Sequence, residues 1–509
     1  MGLEIGTVIV DEDSPSPGSF SFVVTCDGSG IPVRQGQFVK VETEEGLVMA
    51  FVINLVKTNR YFMRAESVRE YERRGKPLTS IFPADRWEYL VARAQVLGVV
   101  KEQVLERCTF PPSPGQRVLT VENEKLAQFL GLRLNGGVEI GRLRHHDLMV
   151  RLDLTKLLRK HVAVLAMSGS GKSNFATVVV EELLARSAEQ GRPAVIIVDV
   201  HGEYGGLANQ TTYSDKVVVV NGDDIRIGVP NLSAYQFKEF LPDISGVQLR
   251  ELQKVLEELR SEMRSGKGPF GLEDVISKVE VEEGLNKQLQ QALIGWLNDL
   301  QFLGIFDHAD NPNWEHAVLP GRALVLDLSG ITSLRRKQMI VAHAARRLFQ
   351  ARKRNQVPPF VLCLEEAQQF CPSGESKEAA ISRSALEMIA REGRKFYASL
   401  MLISQRPVRL STTVLSQAGT NVILRITNPY DLEHIKQSSE AITKEVAEMI
   451  STLPVGEALI VGEAVNCPIF VRVKQKRSQF SSHGLSMEEA LMKFEKMNSR
   501  EEEDAKAFM

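Results

Sequence analysis

The chain has 509 residues, of which 43% are hydrophobic and 25% are charged. This composition is typical of a globular protein, and it excludes a disordered, collagen-like or disulfide-scaffold protein. The net charge of −2 gives no general attraction to nucleic acid, so a DNA-binding surface would have to be a local basic patch.

The cysteines and apolar runs predict a cytoplasmic protein without a membrane span. The five cysteines are scattered and form no CxxC pair, which argues against a disulfide framework or a zinc site. Apolar runs such as Val162–Met167 and Ala398–Ile403 are far shorter than the roughly 20 residues that cross a bilayer. The opening residues MGLEIGTVIVDEDSP contain an early acid and no basic region, so we expect no signal peptide.

Residues 1–145 are predicted to form a small β-barrel or sandwich. Short β-branched runs such as GTVIV, FSFVV and GQFVKVET alternate with turn residues, including Pro15–Gly18 and Asp27–Gly30. Many short strands separated in this way are typical of all-β architectures. The segment contains no motif that indicates chemistry.

From about residue 150, strands alternate with helical stretches, which indicates a parallel α/β sheet. This core is predicted to comprise residues 146–230 and 318–485, and to close with a hairpin of Glu457–Val461 and Ile469–Val473. A helix is predicted from Lys172 to about Arg186. The predicted strands are Val162–Ala166, Ala194–Val198, Lys216–Val220, Ala323–Leu328, Phe360–Leu364, Ala398–Ile403 and Val422–Ile426.

Residues 231–317 interrupt this alternation and are predicted to form an inserted helical bundle. Apolar residues recur there at spacings of three and four, which is one face of a helix. The first such stripe is Leu249, Leu252, Leu256, Leu259 and Met263, and the second is Leu289, Leu293, Trp296, Leu300 and Leu303. Residues 486–509 are predicted to be a charged helix or a frayed tail.

The most specific motif is the segment from Ala163 to Ser173, in which a strand leads through SGSGKS into a helix. This is the context that a P-loop requires. Glycines let backbone N–H groups approach phosphates, and the helix N-terminus adds the positive end of its dipole. The first Gly of the usual pattern is replaced by Ala166, at a turn position that does not touch phosphate. The predicted ATP-binding residues are Gly169, Ser170, Gly171, Lys172, Ser173 and Asn174, with Lys172 on the β- and γ-phosphates and Ser173 on Mg²⁺.

Two strands compete to supply the acidic residues of the site. Val195–Asp199 ends in one acid, whereas Phe360–Glu366 ends in the pair Glu365 and Glu366. Hydrolysis requires one carboxylate in the Mg²⁺ shell and another near the attacking water. Because only the second strand supplies both, we predict that Glu365 faces the metal and Glu366 polarises the water.

Polar residues after neighbouring strands are predicted to line the same site. Asp199, His201 and Glu203 follow a strand at the end where open α/β sheets bind ligands. For His201 and Glu203, purely local hydrogen bonds in the loop are an equal alternative. Gln405, at the end of another apolar strand, is placed to distinguish ATP from ADP.

A basic cluster closes the helix before that strand and contains Arg391 and Arg394. It either complements the dipole of its own helix or supplies an arginine finger to the ATP of a neighbouring subunit. The second alternative requires a ring.

Taken together, the motifs resemble the archaeal HerA branch of the HerA/FtsK family of ring-shaped DNA-translocating ATPases. The resemblance covers nearly the whole chain, through SGSGKSN, DVHGEY, CLEEAQQF, AREGRKF, SQRP, RITNPYD and GEALIVG in this order. It implies an N-terminal HAS barrel, a RecA-like P-loop ATPase core with an inserted helical bundle, and a homohexamer around double-stranded DNA that uses ATP and Mg²⁺. It further implies a NurA-type nuclease partner and double-strand-break end processing with the Mre–Rad complex.

The resemblance also assigns residues beyond these motifs. Lys160, with Arg159 as the alternative, is expected to approach the phosphates of a neighbouring subunit. Ile469 and Phe470 are candidates for contacts with the ribose or base. The family's acidic segment often reads EEAH, and Gln368 stands here at the histidine position, so the role of that side chain is open.

The resulting hypothesis is an ATP-driven hexameric translocase and helicase on double-stranded DNA. The alternative is an ATPase platform that loads or regulates a nuclease without processive unwinding. An ATPase that remodels protein is a third possibility, whereas a membrane-anchored DNA pump is disfavoured because no apolar run is long enough to anchor it.

Overall fold

The computed structural model describes residues 2–11, 15–25, 33–59, 69, 73, 88–101, 104–282, 286–374, 380–438, 442–478, 487–489, 491, 492 and 494–496. The chain forms two compact units. The first consists of Met1–Asp153 and Ser439–Val473, and the second of Leu154–Ser438 and Lys474–Met509. Most of the predicted tail at 486–509 lies outside the described residues, and its described part is helical.

The described strands and helices are numbered in chain order. The strands are β1 (Glu4–Ile9), β2 (Ser19–Val24), β3 (Phe38–Thr43), β4 (Gly46–Asn59), β5 (Glu88–Lys101), β6 (Val104–Glu106), β7 (Arg117–Thr120), β8 (Val138–Leu143), β9 (Met149–Leu152), β10 (His161–Leu165), β11 (Ala194–Asp199), β12 (Val217–Asn221), β13 (Ile227–Gly228), β14 (Phe306–Asp307), β15 (Ala323–Asp327), β16 (Phe360–Leu364), β17 (Ala398–Ser404), β18 (Ala418–Ile423), β19 (Glu457–Gly462) and β20 (Ile469–Val473). The α-helices are α1 (Asn123–Leu130), α2 (Leu154–Leu158), α3 (Lys172–Leu184), α4 (Ala234–Phe240), α5 (Gly246–Glu262), α6 (Leu272–Glu280), α7 (Lys287–Gln301), α8 (Trp314–Ala317), α9 (Leu334–Lys353), α10 (Arg383–Glu392), α11 (Thr412–Ser416), α12 (Pro429–Ser438) and α13 (Lys444–Ser451).

The first unit contains a closed antiparallel barrel. Its strand order is β2-β1-β7-β3-β4-β5, pairing between β2 and β5 closes the cylinder, and β6 adds to β5. Phe20, Phe22, Val39, Val41 and Val48 belong to its buried core. Closure removes the exposed strand edges that an open sheet would present. The prediction of an N-terminal β-barrel is confirmed.

Four further strands of this unit pair antiparallel in the order β19-β20-β8-β9. The aromatic ring of Phe470 stacks on Phe51 of the barrel, with ring centres 6.0 Å apart. The Lys40 ammonium lies 2.7 Å from a Glu122 carboxylate oxygen, and the Lys40 side chain is only 3% exposed. The hairpin that is assigned from the sequence to the ATPase core pairs with β8 and belongs to the first unit; the predicted domain boundaries stay a prediction.

The second unit is built on seven parallel strands in the order β12-β15-β11-β16-β17-β10-β18. Strands β10, β11, β16 and β17 are buried along their whole length, as expected for a parallel sheet covered by helices on both faces. All carboxyl ends of parallel strands point to one edge, which we call the carboxyl edge; the opposite one is the amino edge.

Most of the predicted strands match within one or two residues. The strand predicted at Val422–Ile426 instead spans Ala418–Ile423, because its pairing with β10 extends back to Ala418, which lies opposite His161.

Helices α4 to α7 form the inserted bundle around their own apolar core. Both predicted stripes contribute to that core, for example through Leu252 and Leu256 of α5 and Leu293 and Leu300 of α7. Serine side chains accept backbone N–H bonds at the starts of α4 and α5 and form capping boxes there, which satisfies donors that a helix leaves unpaired. Within the described ranges, no helix is both long and apolar enough to cross a membrane.

Candidate active site

The loop between β10 and α3 has the backbone geometry of a phosphate-binding loop. Gly169 has φ +73° and Gly171 has φ +102°, in the left-handed region that glycine adopts without steric cost. A Cβ atom added to Gly169 would meet no atom within 4 Å, so the loop leaves room beside its backbone. Gly171 is the N-cap of the 13-residue helix α3, whose first N–H groups can therefore bind an anion.

Hydrogen bonds to neighbouring strand ends and within the loop hold it in place. The Ala166 N–H donates to the Ser404 carbonyl at 3.1 Å, and the Met167 N–H donates to the Arg425 carbonyl at 3.0 Å. The Ser170 hydroxyl donates to the Met167 carbonyl at 2.7 Å, so its buried side chain braces the loop from within. The Ser173 side chain lies in the first turn of α3 and is half-buried.

The Lys172 ammonium contacts Glu366 directly. Its Nζ lies 2.6 Å from Glu366 Oε1, and the two side chains are 8% and 7% exposed. Gln405 Nε2 donates to the same oxygen at 2.6 Å, and Gln368 Nε2 donates to Oε2 at 2.5 Å. Three of the residues identified in the sequence, Lys172, Glu366 and Gln405, therefore meet at the carboxyl edge.

These contacts determine the charge of Glu366. Burial acts to raise its pKa, because a buried carboxylate loses its hydration. The hydrogen bond and charge of Lys172, aided by the two amides, outweigh burial and hold the pKa of Glu366 below its ordinary value. The carboxylate is therefore ionised at neutral pH.

Glu365 lies in a different environment. Its Oε2 accepts the Val200 N–H at 3.1 Å, whereas its buried Oε1 has no hydrogen-bond partner among the described residues. Burial, followed by the charges of Asp199 and Glu203, raises the pKa of Glu365 to about 8. A carboxyl oxygen without a partner beside a phosphate loop suits Mg²⁺, because a nearby cation favours the ionised form of the group and Mg²⁺ is often bound by one carboxylate together with phosphates.

Asp199 shapes the neighbouring loop. Its carboxylate accepts the backbone N–H groups of four consecutive residues, at distances from 2.8 to 3.3 Å: His201, Gly202, Glu203 and Tyr204. Strands β11 and β16 are parallel neighbours, with Val198 opposite Leu364, so both competing acidic segments end at the same edge. Asp199 therefore has a local structural role, with both carboxylate oxygens engaged by the loop.

The loop brings His201 to the site. Its Nε2 lies 4.0 Å from Glu366 Oε1, and the side chain is 49% exposed. Glu203 acts on the site through its charge, which contributes to the raised pKa of Glu365.

A segment that the sequence reasoning missed lies against the P-loop helix. The Asn174 amide donates to the Lys474 carbonyl and accepts the Lys476 N–H, both at 3.0 Å. The backbone N–H groups of Arg477 and Ser478 donate to the Glu181 carboxylate. The only sequence signal was the basic run KQKR directly after the last strand. We call residues 474–478 the strap.

Ile469 and Phe470 precede the strap in β20 of the first unit, and both side chains are buried there. Their predicted contact with the nucleotide stays a prediction. In the second unit, the C-terminal segment that reaches the P-loop helix is the strap.

The remaining predicted residues lie at the amino edge. Lys160 directly precedes β10, and Arg391 and Arg394 precede β17. The seven residues of β17 span roughly 20 Å at the usual rise per residue, so these cations are far from their own P-loop. Arg391 is 63% exposed and donates to Glu387 at 3.2 Å, and Arg394 is exposed.

Comparison with known proteins finds similarity to HerA helicases. The family model described as "Helicase HerA, central domain" matches residues 138–348. The chain is 27% identical to the DNA double-strand break repair helicase HerA of Pyrococcus furiosus, over 87% of this chain and 88% of that protein. It is 26% identical to a probable helicase of Methanocaldococcus jannaschii, over 90% of this chain and 89% of that protein. The chain is therefore similar to HerA helicases over most of its length.

The fold has a solved counterpart in VirB4 of Thermoanaerobacter pseudethanolicus, with a TM-score of 0.51, 16% sequence identity and coverage of 68% of this chain and 98% of that one. The HerA central-domain match includes the P-loop and the Asp199 loop but ends before Glu366 and Gln405. The alignments with the two relatives extend over most of the chain, so the similarity does not depend on the P-loop alone.

Proposed function

We propose that this HerA-like chain is an ATP-driven translocase and helicase that acts as a hexameric ring on double-stranded DNA. The observation that carries the proposal is the contact of one buried carboxylate, Glu366, with both the P-loop lysine and Gln405. Lys172 can bind phosphate and Glu366 can activate water, so their contact joins the two functions that ATP hydrolysis requires. Gln405 connects them to the end of strand β17.

The proposed hydrolysis follows from these contacts. ATP phosphates would bind the loop N–H groups, and Lys172 would turn from Glu366 to the β- and γ-phosphate oxygens. Glu366 Oε1 would then be free to orient and polarise the attacking water. In the structure, Gln405 Nε2 donates to the same oxygen. With ATP bound, it would contact the γ-phosphate instead and so distinguish ATP from ADP.

A metal ion completes this proposal. Mg²⁺ would neutralise charge on the β- and γ-phosphates when bound, and Ser173 and Glu365 would hold it. The unpaired, buried Glu365 Oε1 supports the placement of that carboxylate toward the cation.

The arginines at the amino edge support a ring of several copies of the chain. Arg391 and Arg394 lie too far from their own P-loop to contact its phosphates, so we propose that they serve the ATP of a neighbouring copy, together with Lys160. The net charge of one chain is near zero, so DNA affinity would have to come from a local basic patch, which a ring would repeat around its central opening.

The biological setting is proposed from the family. Relatives named for DNA double-strand break repair support a role at DNA ends in the cytoplasm. The NurA-type nuclease and the Mre–Rad complex are the partners that the HerA resemblance implies.

The test combines ATPase assays with DNA-binding titrations on the purified protein. Duplex DNA should stimulate ATP turnover, and affinity measured by anisotropy should fall steeply with salt as counterions are released. Two unrelated duplexes should bind alike, because a motor must grip backbone phosphates at every step. No DNA stimulation together with a flat salt response would overturn the motor. DNA-stimulated turnover without strand separation would favour the nuclease platform.

A further inference from the structure

Gln368 connects Glu366 to the end of strand β17. Its Nε2 donates to Glu366 Oε2 at 2.5 Å, and its Oε1 accepts the Ser404 hydroxyl at 2.8 Å. Ser404 is fully buried, and its own oxygen accepts the Arg406 N–H at 3.1 Å. The backbone carbonyl of Ser404 accepts the Ala166 N–H at the start of the P-loop. Ser404 thus contacts both the P-loop and the amide that holds Glu366.

The direction of these hydrogen bonds is fixed by chemistry. An ionised carboxylate only accepts, so Gln368 must present its NH₂ group to Glu366 and its carbonyl oxygen to Ser404. Every donor in the series then points toward Glu366, from Arg406 through Ser404 and Gln368. Hydrogen bonds aligned in this way polarise one another and strengthen the last bond to the carboxylate.

We infer that Gln368 is a positioning residue: it fixes the position of the Glu366 carboxylate relative to the end of strand β17, where Ser404 and Gln405 lie. The inference rests on the proposed function of Glu366 in ATP hydrolysis. When Lys172 turns to the phosphates, Oε1 of Glu366 loses its cationic partner, whereas the bond from Gln368 to Oε2 is unaffected. Gln368 would therefore determine where the carboxylate stands when the water arrives.

The test is steady-state ATP hydrolysis by the full-length protein without DNA, together with binding of a fluorescent ATP analogue. Gln368→Ala should lower kcat roughly 10- to 100-fold, the effect expected from loss of a hydrogen bond to a charged group. KM and analogue affinity should stay within about twofold, because Lys172 and the loop are unchanged. Gln369→Ala is the matched control, because the Gln369 backbone carbonyl, and not its side chain, accepts a bond from Gln338.

Two further substitutions separate hydrogen bonding from space filling. Gln368→His should recover most of the lost kcat, because a neutral imidazole can donate to Glu366 and accept from Ser404. Gln368→Glu is closest in size, yet it should be as poor as the alanine variant, because an ionised carboxylate cannot donate to Glu366. The His and Glu side chains both fill the space of Gln368. The comparison between these two variants therefore remains valid even if thermal melts show that Gln368→Ala is unstable.

A double-mutant cycle completes the test. Because Ser404 acts through Gln368, the variant Gln368→Ala/Ser404→Ala should be no slower than Gln368→Ala alone. Additive losses, a Glu variant as active as His, or a rise in KM with unchanged kcat would each overturn the inference. These outcomes need only a wild-type ATPase, so they are distinct from a failure of DNA stimulation, which would overturn the motor and leave Gln368 untouched.

Discussion

The two edges of the parallel sheet carry opposite chemistry. At the carboxyl edge, Lys172, Glu365 and Glu366 are buried and lie within one cluster. At the amino edge, Arg391 and Arg394 are exposed and roughly a strand length from that cluster. Charged groups that are buried together can act on a ligand of their own chain, whereas exposed cations at the far edge are available to another molecule. If this division is correct, substitutions at the two edges should differ in kind as well as in size.

The largest effect is expected for Lys172→Ala. The variant loses the cation that faces the β- and γ-phosphates, and turnover should fall at least about a thousandfold. It also leaves Glu366 buried without its ion-pair partner, so nucleotide binding should weaken as well. ATPase assays and binding of a fluorescent ATP analogue measure both effects, and retained turnover would contradict a cis role for the carboxyl edge.

Glu366→Gln should separate binding from chemistry at the same edge. Loss of the water-polarising carboxylate should reduce kcat roughly a hundred- to a thousandfold, while ATP affinity stays near that of the wild type. Single-turnover assays with bound ATP would show nucleotide that is held and not cleaved. Equal losses of ATP affinity in this variant and in Lys172→Ala would show that the two roles are assigned wrongly.

At the amino edge, an Arg391→Ala/Arg394→Ala variant should lower turnover roughly 10- to 100-fold. Mixing it with Lys172→Ala subunits should restore part of the activity, because a mixed ring contains interfaces where an intact P-loop meets intact arginines. Such recovery is impossible if the arginines act only within their own chain. No recovery at any ratio, with mixed rings verified by mass measurement, would abolish the contrast between the edges.

Lys160→Ala tests the same edge with a smaller expected effect. A single half-buried cation that approaches phosphate from a neighbouring copy should change KM for ATP roughly threefold to tenfold, with kcat less affected. An unchanged KM would restrict the contribution of the amino edge to the arginines.

The smallest effect on turnover is expected for a substitution that lies away from both edges. Lys40→Met in the barrel removes the partner of Glu122 and should destabilise the first unit by about 1–2 kcal/mol, with ATP hydrolysis unchanged. The hydrogen bond from Lys40 lowers the pKa of Glu122 to about 2 from its usual 4.5. A lowered carboxyl pKa adds stability above pH 4.5 that is lost as pH falls toward 2. Thermal melts across this range should show that loss in the wild type and not in the variant.

The carboxyl edge was largely predictable because its motifs are local. SGSGKS follows a strand directly, and Glu365 and Glu366 end another, so each could be identified in a short window of sequence. Their contact could not be predicted, because Lys172 and Glu366 are 194 positions apart and meet only through the strand order β16-β17-β10.

Other features could not be predicted for the same physical reason. The hairpin at 457–473 continues the strand-rich pattern of the core, yet its second strand pairs with β8, which lies far upstream. Gln368 appeared only as a departure from a family pattern, because the hydrogen bond that it accepts from Ser404 joins residues 36 positions apart. Barrel closure likewise depends on pairing between β2 and β5, which no local pattern of alternation specifies.

The discontinuous first unit has a consequence for synthesis of the chain. About 285 residues separate its two segments, and at roughly 5–20 residues per second the ribosome needs about 15–60 s to add them. During that interval β8 lacks its later partner β20, and an unpaired strand edge can recruit another chain. A nascent chain that terminates early would keep this edge unpaired, so only chains translated past Val473 can complete the first unit.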